Sequence, residues 1–250
     1  SADQFAEFWQ GVFWVSMAAV MIAPAEYTHN DILDIEVDRV NRPDRPLPGG
    51  KVSVTAAVIS AVILTAAGLT IGISLGPEEA AVTLSAAFLL YVYNRYLKMT
   101  VIWGNLSVSL LTALCFIFGG ILVNNAAFAV IPAVFSLFFH FGREVVKDME
   151  DIAGDSRRSG YTFPQKYGIP ASKRLITLSL TILLLTVPIP YFAHLLNIYY
   201  IIISIIGVEI PLLWILFHLW FSKNEPKLRI LSQVLKYSMI IGLLALTAGA

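Results

Sequence analysis

The chain has 250 residues, of which 57% are hydrophobic and only 14% are charged, and its mean hydropathy is +0.74. This composition excludes an ordinary soluble domain and predicts a protein that lies in a lipid bilayer. Seventeen Lys and Arg residues balance seventeen Asp and Glu residues, so the net charge gives no reason to expect nucleic acid as a partner.

Eight apolar segments follow one another along the chain, each of roughly 20 residues and therefore long enough to cross a bilayer as a helix. They lie near 8–28, 53–75, 80–97, 105–123, 126–146, 172–193, 197–221 and 230–249. The predicted fold class is all-α, a polytopic membrane helical bundle that forms a single domain over residues 1–250.

Basic and short loops alternate between these segments. The long or basic loops lie near 39–51, 95–104, 147–174 and 222–229, and the short loops lie near 76–79, 123–126 and 194–197. Lys and Arg residues fall in or beside the first group and not in the second. By the positive-inside rule the basic loops face the cytoplasm, which predicts an integral, multi-pass membrane protein whose polar motifs lie on the cytoplasmic side.

Two stretches, one directly before the loop 39–51 and one at the start of the loop 147–174, carry three aspartates at the same spacing. The six residues are Asp31, Asp34, Asp38, Asp148, Asp151 and Asp155. On an α-helix, the spacing i, i+3, i+7 places the three carboxylates of each stretch along one face. Because the two stretches lie four predicted spans apart, we expect two four-helix halves around a central cavity.

Clustered carboxylates in an apolar protein repel one another unless they share a cation. Mg²⁺ prefers oxygen ligands and is commonly held by a few carboxylates together with the phosphates of a substrate. Six carboxylates suit about two or three ions that bind a diphosphate. Catalysis is predicted to depend most on Asp31, Asp34, Asp148 and Asp151. Positive charges that could neutralise the remaining phosphate charge are Lys98, Arg143 and Lys147.

A diphosphate is a good leaving group once its charge is compensated. If it leaves from an allylic carbon, the resulting carbocation must be kept away from water. The aromatic residues of the apolar segments provide dry walls whose π faces stabilise a cation. The residues themselves therefore indicate a divalent metal and an anionic ligand bridged by it, and an allylic diphosphate is one ligand that would need both this charge and these dry walls.

At these residues the chain resembles the UbiA superfamily of intramembrane prenyltransferases. NDILDIEVD (30–38) matches the first family motif and adds Asn30 to the metal ligands, and DMEDIAGD (148–155) matches the second. NRPDRPLPGG (41–50), with Arg45, and YNRYLK (93–98), followed by Asn105, are similar to two family loops. The resemblance implies a helical bundle with a cavity open to the cytoplasm, Mg²⁺, a prenyl diphosphate donor and a lipophilic acceptor. It also implies substrate contacts for Tyr93 and Lys98. Arg45 and Asn105 are further candidate substrate contacts, with topology retention or headgroup binding as the alternative for Arg45 and helix capping as the alternative for Asn105.

The first motif and VKDMED (146–151) are most similar to archaeal members of the family. Those members imply an archaeal cell membrane, geranylgeranyl diphosphate as donor and geranylgeranylglyceryl phosphate as an alcohol acceptor. An aromatic ring, as in the quinone-type members, is the alternative acceptor, and the residues do not decide between the two. A cation transporter that uses the carboxylates as an ion path, and a non-catalytic scaffold, are the alternatives outside enzymes.

The chain departs from the family pattern at two places. Family members have nine spans, with the first motif at the end of the second. Here the motif follows the first predicted span, so we expect the family's opening helix to be absent or to lie outside this sequence. Asn94, rather than a tyrosine, stands four residues before Lys98.

The segment 147–170 is predicted to fold over the diphosphate. Glycines in it permit a change of backbone conformation, and Tyr161 could shield the mouth of the cavity. The alternative is a simple connector whose arginines set the topology.

Overall fold

The computed structural model describes residues 2–41, 43–98, 100–150, 152, 161–221 and 227–250. Within these ranges the regular structure is helical, with no strand. The all-α fold class predicted from the sequence is therefore confirmed.

The α-helices of the described ranges follow one another along the chain. In order, they are α1 (Ala2–Leu33), α2 (Ile35–Asn41), α3 (Val54–Leu75), α4 (Pro77–Val92), α5 (Trp103–Leu122), α6 (Ala126–Glu150), α7 (Phe163–Thr186), α8 (Ile189–Phe192), α9 (Ile198–Ser204), α10 (Ile210–Phe221) and α11 (Leu228–Gly249). Two π-helical turns interrupt this pattern. Tyr93–Leu97 continues α4, and Ile205–Glu209 joins α9 to α10.

Seven helical stretches of the described chain are long and apolar enough to cross a membrane. They are Phe8–Leu33, Val54–Leu75, Trp103–Leu122, Ala126–Glu150, Phe163–Phe192, Ile198–Phe221 and Leu228–Gly249. These stretches confirm seven of the eight predicted spans. The remaining one, predicted at 80–97, is a 16-residue α-helix that continues as a π-helical turn. Its α-helical part is slightly shorter than the roughly 17 residues that a perpendicular crossing needs.

Helix starts follow local capping rules. Ser53 accepts a hydrogen bond from the backbone N–H of Ala56 (3.1 Å) before α3. The side chain of Asn197 accepts one from Tyr199 (2.9 Å) at the start of α9. Before α7, the N–H of Thr162 donates to the side chain of Gln165 at 2.8 Å. Each contact satisfies a backbone donor that the helix itself leaves unpaired.

Many large apolar side chains lie at the surface of these helices. Val62 is 62% exposed, Leu185 is 70% exposed and Phe221 is 71% exposed. A soluble protein would pay heavily in hydration free energy for so much exposed apolar area. The same surface is compatible with lipid, which agrees with the membrane assignment.

The chain divides into two compact units. The first consists of Ser1–Lys98 and Leu114–Ala129, and the second of Met99–Ala113 and Val130–Ala250. The division assigns the beginning of α5 to the second unit and its end to the first. The predicted arrangement of two four-helix halves around a cavity stays a prediction.

Small residues allow close helix packing in the first unit. Gly68 of α3 faces Ile22 and the backbone of Ala18 in α1, and Gly72 faces Thr83 of α4. Lipid is as apolar as the surface of a membrane helix, so the hydrophobic effect does not drive two such helices together. Their association depends on close van der Waals packing, which small residues permit. This contact fixes α1, which carries the first aspartate motif at its end.

The core of the second unit is formed by α6, α7, α10 and α11. Its fully or almost fully buried side chains include Val145, Met149, Ile176, Leu180, Leu212 and Leu235. Ser179 of α7 donates to the carbonyl of Phe138 in α6 at 2.8 Å. Because Val145 and Met149 point into this core, Glu144 and Asp148 share a neighbouring face of α6.

Replacement of Gly68 by alanine should destabilise the protein. The new Cβ would lie 2.6 Å from Cγ1 of Ile22 and 3.1 Å from the carbonyl oxygen of Ala18. Relieving this overlap should lower the free energy of unfolding by about 1–3 kcal/mol. The measurement is thermal unfolding in detergent.

Gly119→Ala is the matched control, because the described structure has nothing within 4 Å of the added Cβ. Alanine favours the helix there by about 0.5–1 kcal/mol, so stability should stay equal or rise. Equal unfolding temperatures for Gly68→Ala and wild type would contradict the proposed close contact.

Candidate active site

The first aspartate motif lies where α1 gives way to α2. Asn30 and Asp31 are in the last turn of α1, Asp34 lies at the break, and Asp38 is in α2. Helical hydrogen bonds continue across the break, from Asp34 N to Asn30 O (3.0 Å) and from Asp38 N to Asp34 O (2.8 Å). The four residues therefore keep helical phase and present oxygens from one face, as their spacing predicted.

Arg45 binds two of these aspartates. Its Nη1 donates to Oδ1 of Asp31 at 3.1 Å and to Oδ2 of Asp38 at 2.6 Å. The side chain of Asp38 is only 6% exposed, whereas that of Asp31 is 40% exposed. Arg45 therefore compensates the buried charge of Asp38 and leaves Asp31 partly accessible.

The proline-rich loop holds Arg45 in place through its backbone. The N–H of Gly49 donates to the carbonyl of Arg45 at 2.9 Å. A Cβ on Gly49 would lie 2.9 Å from the carbonyl oxygens of both Arg45 and Pro43. The turn therefore requires a residue without a side chain at position 49.

Lys98 binds the same motif from the end of the first π-helical turn. Its Nζ donates to Oδ1 of Asn30 and to Oδ2 of Asp34. The side chains of Lys98 and Asp34 are 18% and 16% exposed, so water screens this pair only partly. The predicted residues Lys98, Arg45, Asn30, Asp31, Asp34 and Asp38 thus form one polar network in the first unit.

The chemistry of this network fits magnesium. Among the described residues, no three His, Cys, Asp or Glu side chains are arranged so that they could hold a metal ion. Mg²⁺, however, usually takes only one or two carboxylates and completes its octahedron with water and substrate phosphate. Asn30 and Asp31 provide hard oxygen ligands of that kind. Of the two aspartates that bind Arg45, Asp31 is more exposed than Asp38.

The second motif begins in the last turn of α6. Asp148 accepts a hydrogen bond from Nδ2 of Asn105 at 2.8 Å. Asn105 is buried at the start of α5, so its amide fixes the orientation of the carboxylate. Asp151 and Asp155, which were predicted as further ligands, lie outside the described residues.

The two basic residues of α6, Arg143 and Lys147, both bind Glu144, which is not part of the second aspartate motif. Nη1 of Arg143 donates to Glu144 at 3.0 Å, and Nζ of Lys147 donates to it at 3.1 Å. The side chain of Glu144 is 14% exposed. Nε of Arg143 is buried and has no hydrogen-bond partner in the described structure.

The remaining predicted contacts are Tyr93 and Tyr161. Tyr93 begins the π-helical turn and is half-buried, and its carbonyl accepts the N–H of Lys98 at 2.9 Å. Tyr161 is 65% exposed and precedes α7. Residues 153–160 lie outside the described part of the chain, so the closing segment stays a prediction.

Three polar residues of the site were not predicted from the sequence. Each lies one helical turn before a predicted residue, with Glu26 before Asn30, Asn94 before Lys98 and Glu144 before Asp148. Nδ2 of Asn94 donates to a carboxylate oxygen and to the carbonyl of Glu26, both at 3.1 Å. A search one turn upstream of each motif residue for a polar side chain would have found all three.

Sequence and structure comparisons place this architecture in a known class. The model of the UbiA prenyltransferase family matches residues 2–240. The chain therefore belongs to the UbiA prenyltransferase family, as its motifs indicated.

Individual relatives indicate to which kind of family member the chain is similar. The digeranylgeranylglyceryl phosphate synthase of Sulfolobus acidocaldarius is 38% identical over 210 residues, which cover 82% of this chain and 74% of the relative. A solved structure from a study of digeranylgeranylglyceryl phosphate synthase in membranes is 31% identical, with a TM-score of 0.84 over 96% of this chain and 85% of that one. A UbiA homologue from Archaeoglobus fulgidus bound to GPP and Mg²⁺ has a TM-score of 0.69 at 15% identity, covering 95% of this chain and 88% of that one, and shows the shared fold.

Arg45→Ala should destabilise the protein, because Asp38 would keep a buried negative charge without its guanidinium partner. We expect a loss of about 1–3 kcal/mol in the free energy of unfolding, measured by thermal melting in detergent. Arg39→Ala is the matched control. Arg39 binds Glu36 at 2.7 Å, but both side chains are more than half exposed, so its loss should change stability by less than about 0.5 kcal/mol. Equal effects of the two substitutions would argue against a structural role for the Arg45–Asp38 pair.

Proposed function

We propose that this protein transfers the geranylgeranyl group of geranylgeranyl diphosphate to the hydroxyl of geranylgeranylglyceryl phosphate, within the membrane and with Mg²⁺. The observation that carries the proposal is its 38% identity to a digeranylgeranylglyceryl phosphate synthase over most of both chains. The polar network on α1 supports it, since its oxygens suit a magnesium diphosphate. The acceptor implied by the archaeal relatives is an alcohol.

The metal ligands are proposed separately for each motif. Asn30, Asp31 and Asp34 would hold Mg²⁺ in the first unit, and Asp148, with Asp151 and Asp155, would do so in the second. When bound with the donor, Mg²⁺ compensates the charge that develops on the leaving diphosphate. Asn105 holds Asp148 in one rotamer, which reduces the reorganisation needed when the motif takes up its ligand.

Basic residues are proposed to bind the phosphate oxygens. In the first unit, Lys98 and Arg45 lie on the aspartates, so a phosphate bound beside these carboxylates would meet two positive charges. In the second unit, the buried Nε of Arg143 lacks an acceptor. A buried donor without a partner costs about 1–3 kcal/mol, and a phosphate oxygen would remove that penalty. Lys147 lies one turn further along the same helix.

The reaction follows from these roles. The C–O bond between the donor's first carbon and the diphosphate breaks, and the electron pair leaves with the diphosphate. The acceptor's hydroxyl oxygen then forms a bond to the allylic cation, and its proton passes to the released diphosphate, so that an ether is formed. Apolar helix surfaces must exclude water, which would otherwise capture the cation as a free prenyl alcohol. Aromatic side chains of these helices can stabilise the cation through their π faces.

The active site is proposed to face the cytoplasm. Arg45, Lys51 and Lys98 lie at or beside the first motif, whereas the first turn of α4 carries Glu78 and Glu79. Lys and Arg residues are retained on the cytoplasmic side of membrane proteins.

The proposed function is tested by measuring diphosphate release from prenyl diphosphates of different lengths, with either the glycerol phosphate lipid or an aromatic acceptor present. We expect release coupled to ether formation with geranylgeranyl diphosphate and the alcohol. Prenylation of the aromatic acceptor alone would assign the quinone-type reaction instead. Full activity in excess chelator, or no release from any donor, would overturn the proposal.

Asp31→Asn and Asp148→Asn should each lower turnover by about 10²–10³-fold, because a weaker ligand leaves the departing diphosphate less compensated. Turnover is measured with purified protein at saturating donor. Asp38→Asn should have a milder effect, because Asp38 is committed to Arg45. Glu36→Gln is the control, since Glu36 is 75% exposed in the same segment and should retain wild-type turnover. Loss of activity in Glu36→Gln would show that turnover responds to any loss of charge in this segment, which would contradict a specific role for Asp31.

The proposed topology is tested by cysteine labelling in a Cys115→Ala background. A cysteine in place of Lys51 should react with a membrane-impermeant reagent from the cytoplasmic side, and one in place of Glu78 from the opposite side. The separation follows because α3, which spans the membrane, lies between the two positions. Labelling of both from one face would contradict the assignment.

A further inference from the structure

Glu26 is a buried acidic residue that belongs to neither aspartate motif. It lies in the membrane-spanning part of α1, four residues before Asn30, and its residue is 8% exposed. An acidic residue in such a position is unfavourable unless it is hydrogen-bonded, and it commonly has a function. The structure shows what it binds.

Two side chains converge on the same carboxylate oxygen of Glu26. Nδ2 of Asn94 lies 3.1 Å from Oε2, and Nδ1 of His29 lies 3.4 Å from it. Asn94 also donates to the backbone carbonyl of Glu26 at 3.1 Å. The imidazole of His29 in turn stacks on Tyr91 of α4, with ring centroids 5.7 Å apart and planes inclined by 5°. The carboxylate is thus a fixed acceptor between α1 and the end of α4.

The contacts of Asn94 and Lys98 have the same register. Asn94 binds Glu26, and four residues later Lys98 binds Asn30, which itself lies four residues after Glu26. Both pairs are separated by 68 residues in sequence. Two residues one turn apart on α1 therefore pair with two residues one turn apart in the segment 94–98, and the first pair fixes the position and rotation of the segment at which the second pair forms.

The π-helical turn makes this first contact important. Lys98 N bonds to Tyr93 O, five residues back, rather than to the residue four back. A π-helical turn contains one residue more than an α-helical turn and is less stable, and such turns are frequent at functional sites. If it relaxed to α-helix, the residues after it would rotate by about 100°. Lys98 would then leave Asn30 and Asp34.

We infer that Glu26 and Asn94 are positioning residues: their hydrogen bonds hold the π-helical turn so that the ammonium of Lys98 reaches Asn30, Asp34 and the donor's phosphate. The inference rests on the proposed function for the role of Lys98 at the donor. Neither Glu26 nor Asn94 contacts the substrate in this role. His29 contacts the same carboxylate oxygen as Asn94, and Tyr91 stacks on the imidazole of His29.

The test is a double-mutant cycle between Glu26 and Lys98. Glu26→Ala should lower kcat about tenfold, as expected when a hydrogen bond to a charged group is lost. In a Lys98→Ala background the same substitution should lower kcat by less than about twofold, because the group that it positions is gone. Glu26→Gln should stay within about threefold of wild type, since the amide oxygen still accepts from Asn94. Glu36→Ala, which removes an exposed carboxylate nearby, is the control.

Two measurements that do not depend on turnover accompany the cycle. One is the unfolding temperature of the four proteins of the cycle, and the other is their affinity for inorganic diphosphate with Mg²⁺, measured by calorimetry. Non-additive effects of Glu26→Ala and Lys98→Ala on this affinity support the inference. A purely structural Glu26 would give equal fold-changes in kcat and in affinity in both backgrounds, and this result would overturn it.

Asn94→Ala removes the same contact from the other side and replaces Glu26→Ala if the latter does not fold. It should show the same non-additivity with Lys98→Ala, and additivity would count against the inference. Failure of wild type to release diphosphate from any prenyl donor would count against the proposed function. In that case the coupling of Glu26 to Lys98 is still decided by the unfolding temperatures and the diphosphate affinity.

Discussion

The need to compensate clustered negative charge in an apolar protein governs the first unit. Asp34 and Asp38 are both largely shielded from water, where an uncompensated carboxylate is strongly unfavourable. Arg45 and Lys98 supply the positive charge, and each reaches the motif through an unusual backbone. Arg45 depends on a tight turn that requires Gly49, and Lys98 on a π-helical turn. The irregular segments of this unit are thus explained by the charges that they deliver.

The carboxylates of the second unit have different partners from those of the first unit. Its basic residues Arg143 and Lys147 bind Glu144, and Asp148 is oriented by the neutral amide of Asn105. A neutral amide donor orients a carboxylate without itself cancelling the negative charge. The two aspartate motifs share a spacing in the sequence, but the described contacts of Asp148 include a neutral amide, whereas those of Asp31, Asp34 and Asp38 include the charged groups of Arg45 and Lys98.

The sequence predicted the helical segments and the shared face of the first motif, because both follow from periodicity. Hydropathy placed the sixth span at 172, and α7 begins at Phe163 but has a break in its helical backbone at Gly168, where φ is 80°. The turn before that break, where the N–H of Thr162 donates to the side chain of Gln165, was not predicted. The π-helical turn at Tyr93 was also missed, because hydropathy does not distinguish α from π geometry. Asn94 could not be paired with Glu26 from the sequence, because local patterns carry no information on contacts across 68 residues.

The close contact between Gly68 and Ile22 has a consequence for the far end of α1. Ile22 lies nine residues before Asp31 on one continuous helix, a distance of about 13 Å along the axis. A bulkier residue at position 68 would push on α1 at Ile22, two residues before Pro24, where the helix lacks a backbone hydrogen bond and can change its angle. A change of that angle would move the end of α1 that carries Asn30 and Asp31, so the small size of Gly68 matters for the first aspartate motif although Gly68 lies more than two helical turns from it.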